Sequence, residues 1–274
     1  FIQLSGQLTS SFSSLAALVP NVVSTATSAS RVMEITSLSK ELDKEKQEAE
    51  EFYKRTKEKG VSIVFDNVSF KYKNGENIVV ENASFKINAG ETVAFVGPSG
   101  EGKTTILKLV LGIMPVTSGE IYFLSEDGEK LVVSDSTRRF CSYVPQGINI
   151  FSGTIRENLT AVKKDATHEE IHRVTEAAVL NELIMSLPDG LETYVNEQGG
   201  NFSQGQLQRF AIARALLKES MILLMDEATS ALDNVTEQLI QNSLRELAVG
   251  RTTLIIAHRL STIRAAQRIV SISD

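Results

Sequence analysis

The 274-residue chain holds a single cysteine, Cys141, which excludes an intrachain disulfide and fits a reducing compartment. That thiol reads as a small buried apolar side chain. Positive charge is also in short supply: 28 Lys and Arg stand against 34 Asp and Glu, a formal net charge of −6. There is therefore no overall basic field to recruit a nucleic-acid backbone, and nucleic acid is not expected as a partner. No run of 18 consecutive apolar residues marks out a lipid-facing helix. The stretch from Phe1 has no basic n-region, so no signal peptide is expected there. Charge of either sign is missing from residues 1–30, Arg31 being the first. What remains, 42% apolar and 23% charged, is globular material for one large domain or two ordinary ones.

The uncharged opening places Ile2, Leu4, Leu8, Phe12, Leu15, Leu18 and Val22 near a helical repeat, with Ser and Thr on the other faces. This pattern suits a membrane helix packed within a bundle better than the alternative, a Ser-rich soluble helix. Pro20 is expected to kink or break it. Residues 40–60, "KELDKEKQEAEEFYKRTKEKG", carry Glu/Lys pairs at helical spacing and predict a solvated connector helix ending at Gly60. From Val61 the texture changes to short apolar strands: "SIVF", "ETVAFVG", "MILLMD" and "TTLIIAH". Helical stretches separate the later ones, which argues a parallel sheet covered on both faces. The turn "KNGE", between two alternating segments, predicts an antiparallel hairpin before it.

"GPSGEGKTT" fits G-x-x-x-x-G-K-[ST] through Gly97, Gly102, Lys103 and Thr104, between the strand "TVAFV" and the helical "ILKLVLGIM". Gly97, Pro98, Ser99, Gly100, Glu101, Gly102, Lys103, Thr104 and Thr105 are thus the expected phosphate cradle. Glycines let backbone N–H groups turn inward, Lys103 supplies a compact cation, and the Thr104 hydroxyl completes a Mg²⁺ shell. In "MILLMDEATSALD" an apolar strand delivers Asp226 and Glu227 at its carboxyl end, where α/β sheets bind ligands. Asp226 is expected to reach the magnesium through water and Glu227 to orient or activate an attacking water. Alone, the two would read as solvated carboxylates. "TTLIIAHRL" repeats the device with His258, a γ-phosphate contact or a core-edge histidine, whereas His168 and His172 read as surface residues.

"NFSQGQLQRF", 201–210, is a polar run leading into the helical "AIARALL". Ser203 is the expected cap of that helix, whose unpaired amides could hold an anion.

In this order the elements resemble the nucleotide-binding domain of an ATP-binding cassette (ABC) transporter, from about Val61 to Asp274. "FSQGQ", 202–206, is similar to the family signature Leu-Ser-Gly-Gly-Gln and lies, as there, ahead of the Asp226 strand. The resemblance implies an α/β fold: a P-loop NTPase (RecA-like) core, an antiparallel β subdomain and an α-helical signature subdomain, preceded by a long N-terminal helix. It implies ATP and Mg²⁺ as cofactors and ATP hydrolysis by Lys103, Gln146, Glu227 and His258. Tyr72 in "FKYKNG" resembles the aromatic that stacks on adenine. Gln146 in "YVPQ" resembles the Q-loop glutamine that touches Mg²⁺ and the membrane-domain interface. Asp233 in "SALD" resembles the D-loop aspartate.

"FSGTIRENL", 151–159, is similar to exporters in particular, as is the stretch ending "SASRVMEI", which looks like the tail of a last transmembrane helix. The expected organisation is therefore transmembrane tail over 1–39, charged linker over 40–60, and nucleotide-binding domain over 61–274 without the family's final strand and helices. The chain is expected to be part of a longer exporter half in the cell membrane, its nucleotide-binding domain on the cytoplasmic face. Its expected partners are transmembrane domains and a second nucleotide-binding domain, identical or different. In such a pair the signature helix points at the γ-phosphate on the partner's loop, which makes Ser203, Gly205 and Gln206 ligands in trans. Departures are Phe202 for Leu and Gln204 for Gly in the signature, and Asn196 and Gln198 for Gly and Arg in "TYVNEQG". A soluble ABC ATPase of DNA repair or translation is the alternative; the acidic balance and uncharged opening speak against it. A non-hydrolysing regulatory module would lack the base or the histidine, and both are present.

Overall fold

The computed structural model describes residues 2–36, 43–73, 75, 77–98, 100–147 and 150–272. The chain divides into two units, Phe1–Leu42 and Asp43–Asp274. The described residues of the first form one helix, α1 (Ile2–Thr36), 35 residues or about 52 Å long at the α-helical rise. It is not broken at Pro20. Hydroxyls in the turns after Pro20 fold back on the helix itself, Thr25 donating to Asn21 O and Thr27 to Val23 O, both at 2.8 Å. Leu18, Val22, Val23, Val32 and Met33 are exposed. Among the described residues no helix is long and apolar enough to cross a membrane.

The second unit begins with α2 (Asp43–Thr56), then β1 (Ser62–Lys71), β2 (Ile78–Ile87), β3 (Thr92–Val96), α3 (Lys103–Val110), β4 (Ser118–Leu124), β5 (Lys130–Val132) and β6 (Cys141–Val144). Next come β7 (Gly153–Thr154), α4 (Ile155–Thr160), α5 (His168–Ala177), α6 (Asn181–Ser186) and β8 (Tyr194–Val195). The unit closes with α7 (Gln204–Leu217), β9 (Ile222–Asp226), α8 (Asn234–Leu247), β10 (Thr252–Ile256), α9 (Leu260–Ala265) and β11 (Arg268–Ser271).

The helix expected within 40–60 is α2, and it is solvated on one face only. Its abundant charges hide a stripe of Ala49, Phe52 and Thr56, all buried, on one helical face. Phe52 and Tyr53 lie 6.1 and 5.3 Å from the Phe140 ring, and Glu50 pairs with Arg139. The helix also ends at Thr56 rather than Gly60, whose N–H closes the turn onto Thr56 O at 2.9 Å.

The hairpin forms as expected, β1 and β2 pairing antiparallel with Phe65 stacked on Phe85 at 4.3 Å. Asn74 and Glu76 of the expected turn lie outside the described residues. The hairpin belongs to a four-stranded sheet of order β2-β1-β4-β5. The second large sheet, β11-β3-β10-β9-β6, is parallel throughout. All five residues of β9 are buried, as a doubly covered strand requires. Ile222 and Leu224 face one core with α3 and the antiparallel sheet, while Leu223 and Met225 face another with α4, α5, α7 and α8. Cys141 is buried, and loss of solvent pushes its thiol up to about 12.

Candidate nucleotide-binding site

β3 runs into the Gly97–Gly102 loop, and α3 starts at Lys103, inside the motif. Gly102 has φ +84, and a Cβ there would meet Val79 O and Cγ1 at 2.9 Å; only glycine both turns and fits. Lys103, 5% exposed, reaches back inside the loop, its Nζ donating to Gly97 O at 2.9 Å and Pro98 O at 2.5 Å. Glu101 Oε2 is buried without a hydrogen-bond partner. Ser99, expected in the cradle, lies outside the described residues.

A cleft of 370 Å³ opens over the loop, lined by Tyr72, Val79, Gly100, Gly102, Lys103, Thr104, Thr105, Gln146, Glu227, Ile256 and His258. The parallel sheet explains the convergence, because β3, β9 and β10 lie side by side and end at the same edge. A larger cavity of 440 Å³ under α8, walled by Leu223, Met225, Leu244 and Ile255, holds no part of the phosphate loop.

Asp226 is 1% exposed beneath the cleft. Thr104 Oγ1 donates to its Oδ1 at 3.2 Å and the Tyr143 hydroxyl to its Oδ2 at 3.3 Å. Burial raises its carboxyl above the ordinary aspartate value, against those two bonds, which lower it. Burial, and after it the Asp226 charge, likewise pushes the Tyr143 phenol up. Glu227 sits between two polar side chains: Gln146 Nε2 donates to its Oε2 at 2.9 Å, and His258 Nε2 lies 2.9 Å from its Oε1. Its backbone is left-handed, φ +49, an uncommon setting for a non-glycine residue.

Tyr72 is exposed; its hydroxyl lies 3.0 Å from Thr105 Oγ1, and its ring stands edge-on to Phe70 at 4.9 Å. His168 and His172 are exposed on α5.

The signature residues do not line this cleft. Ser203 caps α7 as expected, accepting from Gln206 N at 3.2 Å, while Gln206 Oε1 accepts from Ser203 N at 2.8 Å. A Cβ on Gly205 would meet Ala231 O at 2.9 Å, so glycine lets the first turn of α7 pass this carbonyl. Asp233 caps α8, accepting from Val235 N and Thr236 N at 3.1 and 3.0 Å. The Thr236 side chain, and after it the backbone bonds, hold its carboxyl below the usual range. Gln204 is exposed, and Phe202 stands edge-on to Phe210 at 5.4 Å, which accommodates the departure from Leu. Asn196 N donates to Asn201 Oδ1 at 3.2 Å.

Tyr143 joins the site without having been expected there, although "SYVPQ" places it three residues before Gln146. Gln208, Glu237 and Arg259 are likewise unexpected, because their contacts are long-range.

A glycine-lined loop at a strand–helix junction, with a lysine closing it and carboxylates at the same edge of the sheet two strands away, defines a nucleoside-triphosphate-binding domain. Residues 80–230 match the ABC transporter family, and the chain belongs to that family. It is 40% identical over 208 residues to the β-(1→2)glucan export ATP-binding/permease protein NdvA of Brucella suis, covering 76% of this chain and 34% of that protein. It is 42% identical over 211 residues to the ATP-dependent lipid A-core flippase of Cupriavidus metallidurans, covering 76% and 35%. A bacterial Atm1-family ABC exporter, solved with ATP bound, superposes with a TM-score of 0.72 at 40% identity, covering 78% of this chain and 37% of that one. The chain thus spans about a third of the length of these relatives. Its fold is that of an exporter nucleotide-binding domain, and the domain binds ATP.

Proposed function

We propose that the domain hydrolyses ATP as one of a head-to-tail pair, and that closure and reopening of the pair drive export of a substrate across a membrane. The observation that carries this reading is Glu227, poised between Gln146 and His258 at 2.9 Å each beside the phosphate loop. Glu227 takes the proton of the attacking water. Lys103 neutralises the terminal phosphates, Gln146 and His258 align water and γ-phosphate, and the Tyr72 ring stacks on adenine.

Among the described residues no cluster of three or more His, Cys, Asp or Glu could hold a metal. Mg²⁺ needs none, since it is held by one or two carboxylates together with substrate phosphates. The oxygen donors fit: the Thr104 hydroxyl beside the Asp226 carboxylate, whose burial leaves its charge in want of a cation. With Gln146 these residues would hold Mg²⁺, which supplies charge neutralisation on the phosphates.

Ser203, Gly205, Gln206 and Asp233 lie away from the cleft of their own chain, which supports their service to a partner's ATP. The exporter relatives support membrane-spanning domains as further partners and a membrane location; the cytoplasmic face for this domain belongs to the same proposal. Under the same reading α1 is the end of a last transmembrane helix, and the domain proper comes after it.

The test mixes Lys103→Ala chains with Ser203→Arg chains, each inactive alone. In trans, a mixed dimer holds one site with both lesions and one with neither, so ATP hydrolysis returns. In cis, every site keeps a lesion and mixing restores nothing. No return of phosphate release in a covalently linked mixed pair, with closure confirmed, overturns the paired-site reading.

A further inference from the structure

Glu237 lies in the first turn of α8, 2% exposed, with its carboxylate fully engaged. Oε1 accepts from Gln241 Nε2 at 2.8 Å, Ser261 Oγ at 2.9 Å, Thr262 Oγ1 at 3.0 Å and Thr229 Oγ1 at 3.3 Å. Oε2 accepts from Arg259 Nη1 at 2.6 Å. Such a carboxylate is a point of convergence for segments far apart in the chain. Arg259 extends it, its Nη2 donating to Ser230 O at 3.0 Å and Leu232 O at 2.8 Å.

The segments so joined are the two that leave the catalytic centre. The turn 229–232 comes just after Glu227, and Arg259 comes directly after His258. Extended backbone sends successive side chains to opposite sides, and Arg259 has φ −98 and ψ 135. Anchoring its guanidinium therefore fixes the backbone immediately after His258. On the other branch, the left-handed backbone of Glu227 persists only where its surroundings over-determine it. The bonds from Arg259 to the two carbonyls of the 229–232 turn supply that restraint. Gln208 of α7 adds a third arm: its Nε2 donates to Ser230 Oγ, and its Oε1 accepts from Ala231 N, both at 3.0 Å.

We propose that Glu237 and Arg259 are positioning residues that hold the Glu227 carboxylate and the His258 imidazole at bonding distance, by clamping together the two chain segments that leave the site. The proposal rests on the hydrolytic reading above. Neither residue lines the phosphate cleft of its own chain, and the Glu237 carboxylate is taken up by its protein partners. The pair acts on turnover through geometry, and through Gln208 it ties that geometry to the helix capped by Ser203.

Arg259→Lys is the sharpest variant. Lysine keeps the charge opposite Glu237 but has no planar fork with which to reach the carboxylate and both carbonyls at once. Glu237→Gln keeps the shape and removes the charge. Steady-state hydrolysis, ATP affinity and thermal midpoint are measured for both in the full-length protein, beside wild type and Glu227→Gln. In Arg259→Lys, kcat should fall about 10-fold or more through misplacement of the reacting groups, with KM for ATP within about twofold and the melting midpoint unchanged. Glu237→Gln should show the same split when assayed below its own midpoint. If both variants turn over within about twofold of a wild type that Glu227→Gln silences, the clamp is wrong and the hydrolytic reading stands. If kcat falls only in step with the melting midpoint, and cooling restores it, the pair is a packing element and the proposal is overturned. If Glu227→Gln hydrolyses like wild type, the reading itself falls and takes the clamp with it.

Discussion

Replacing Glu227 by glutamine isolates one property of the site. The side chain keeps its volume and one acceptor oxygen but can no longer take a proton. Both neighbours of the carboxylate, Gln146 Nε2 and His258 Nε2, lie at 2.9 Å, so the amide oxygen can serve one of them. The Gln146 amide can turn over to offer its oxygen to the new NH₂, so no buried polar group need be left without a bond. The loss is therefore catalytic rather than structural. A positioned general base contributes roughly 10²- to 10⁴-fold, or about 3–5 kcal/mol at 1.36 kcal/mol per decade. In the proposed site ATP is held by Lys103 and the loop, which the change does not touch. The expected result is phosphate release reduced at least ~10²-fold, with ATP affinity kept and an ATP-bound dimer accumulating. Quenched single-turnover assays track the chemistry, and size-exclusion chromatography with ATP tracks the dimer. Phosphate release at the wild-type rate would remove Glu227 from the mechanism.

Tyr72→Ala should weaken ATP binding by about 1–3 kcal/mol and Tyr72→Phe far less, because a ring face stacks without a hydroxyl. Fluorescent-nucleotide titration that finds equal losses would assign the role to the Thr105 contact instead. Asp226→Asn should raise the melting midpoint of the nucleotide-free protein while abolishing Mg²⁺-dependent hydrolysis. The raised carboxyl sets the sign: ionisation is harder in the folded state, so stability falls as pH rises from the ordinary aspartate range to the raised folded value. The midpoint advantage of the asparagine variant should accordingly shrink as pH drops through that window, and a gap that widens on acidification contradicts the assignment. Phe52→Ala should cost about 3–5 kcal/mol in urea unfolding, as for a core aromatic. A cost below about 1 kcal/mol would return α2 to the solvent.

The site was legible where chemistry is written in adjacent residues. The loop from Gly97 to Thr105, the carboxylates after "MILLM" and the histidine after "TTLIIA" each stand at the carboxyl end of an apolar strand. Their meeting in one cleft depends on strand order, which local patterns imply only through the parallel sheet. The burial of α2 was not legible, because 3 apolar or half-polar positions, Ala49, Phe52 and Thr56, are outvoted by charge in any sliding count. Burial depends on what lies opposite, and Phe140 is far away in sequence. Glu237 and Arg259 escaped for the same reason, being 22 residues apart and belonging to no contiguous motif. Ser203 was legible as a cap from its position alone, but Gly205 needed the Ala231 carbonyl to explain it.

The seating of α2 also bears on how force enters the molecule. A pull on the chain ahead of Asp43 arrives at a helix whose Phe52 and Tyr53 are lodged against Phe140, with Glu50 tied to Arg139. Phe140 immediately precedes β6, and β6 lies beside β9, the strand that ends in Asp226. Slack in a loose tether would absorb such a pull. A wedged helix hands it on as displacement, one strand away from the carboxylates.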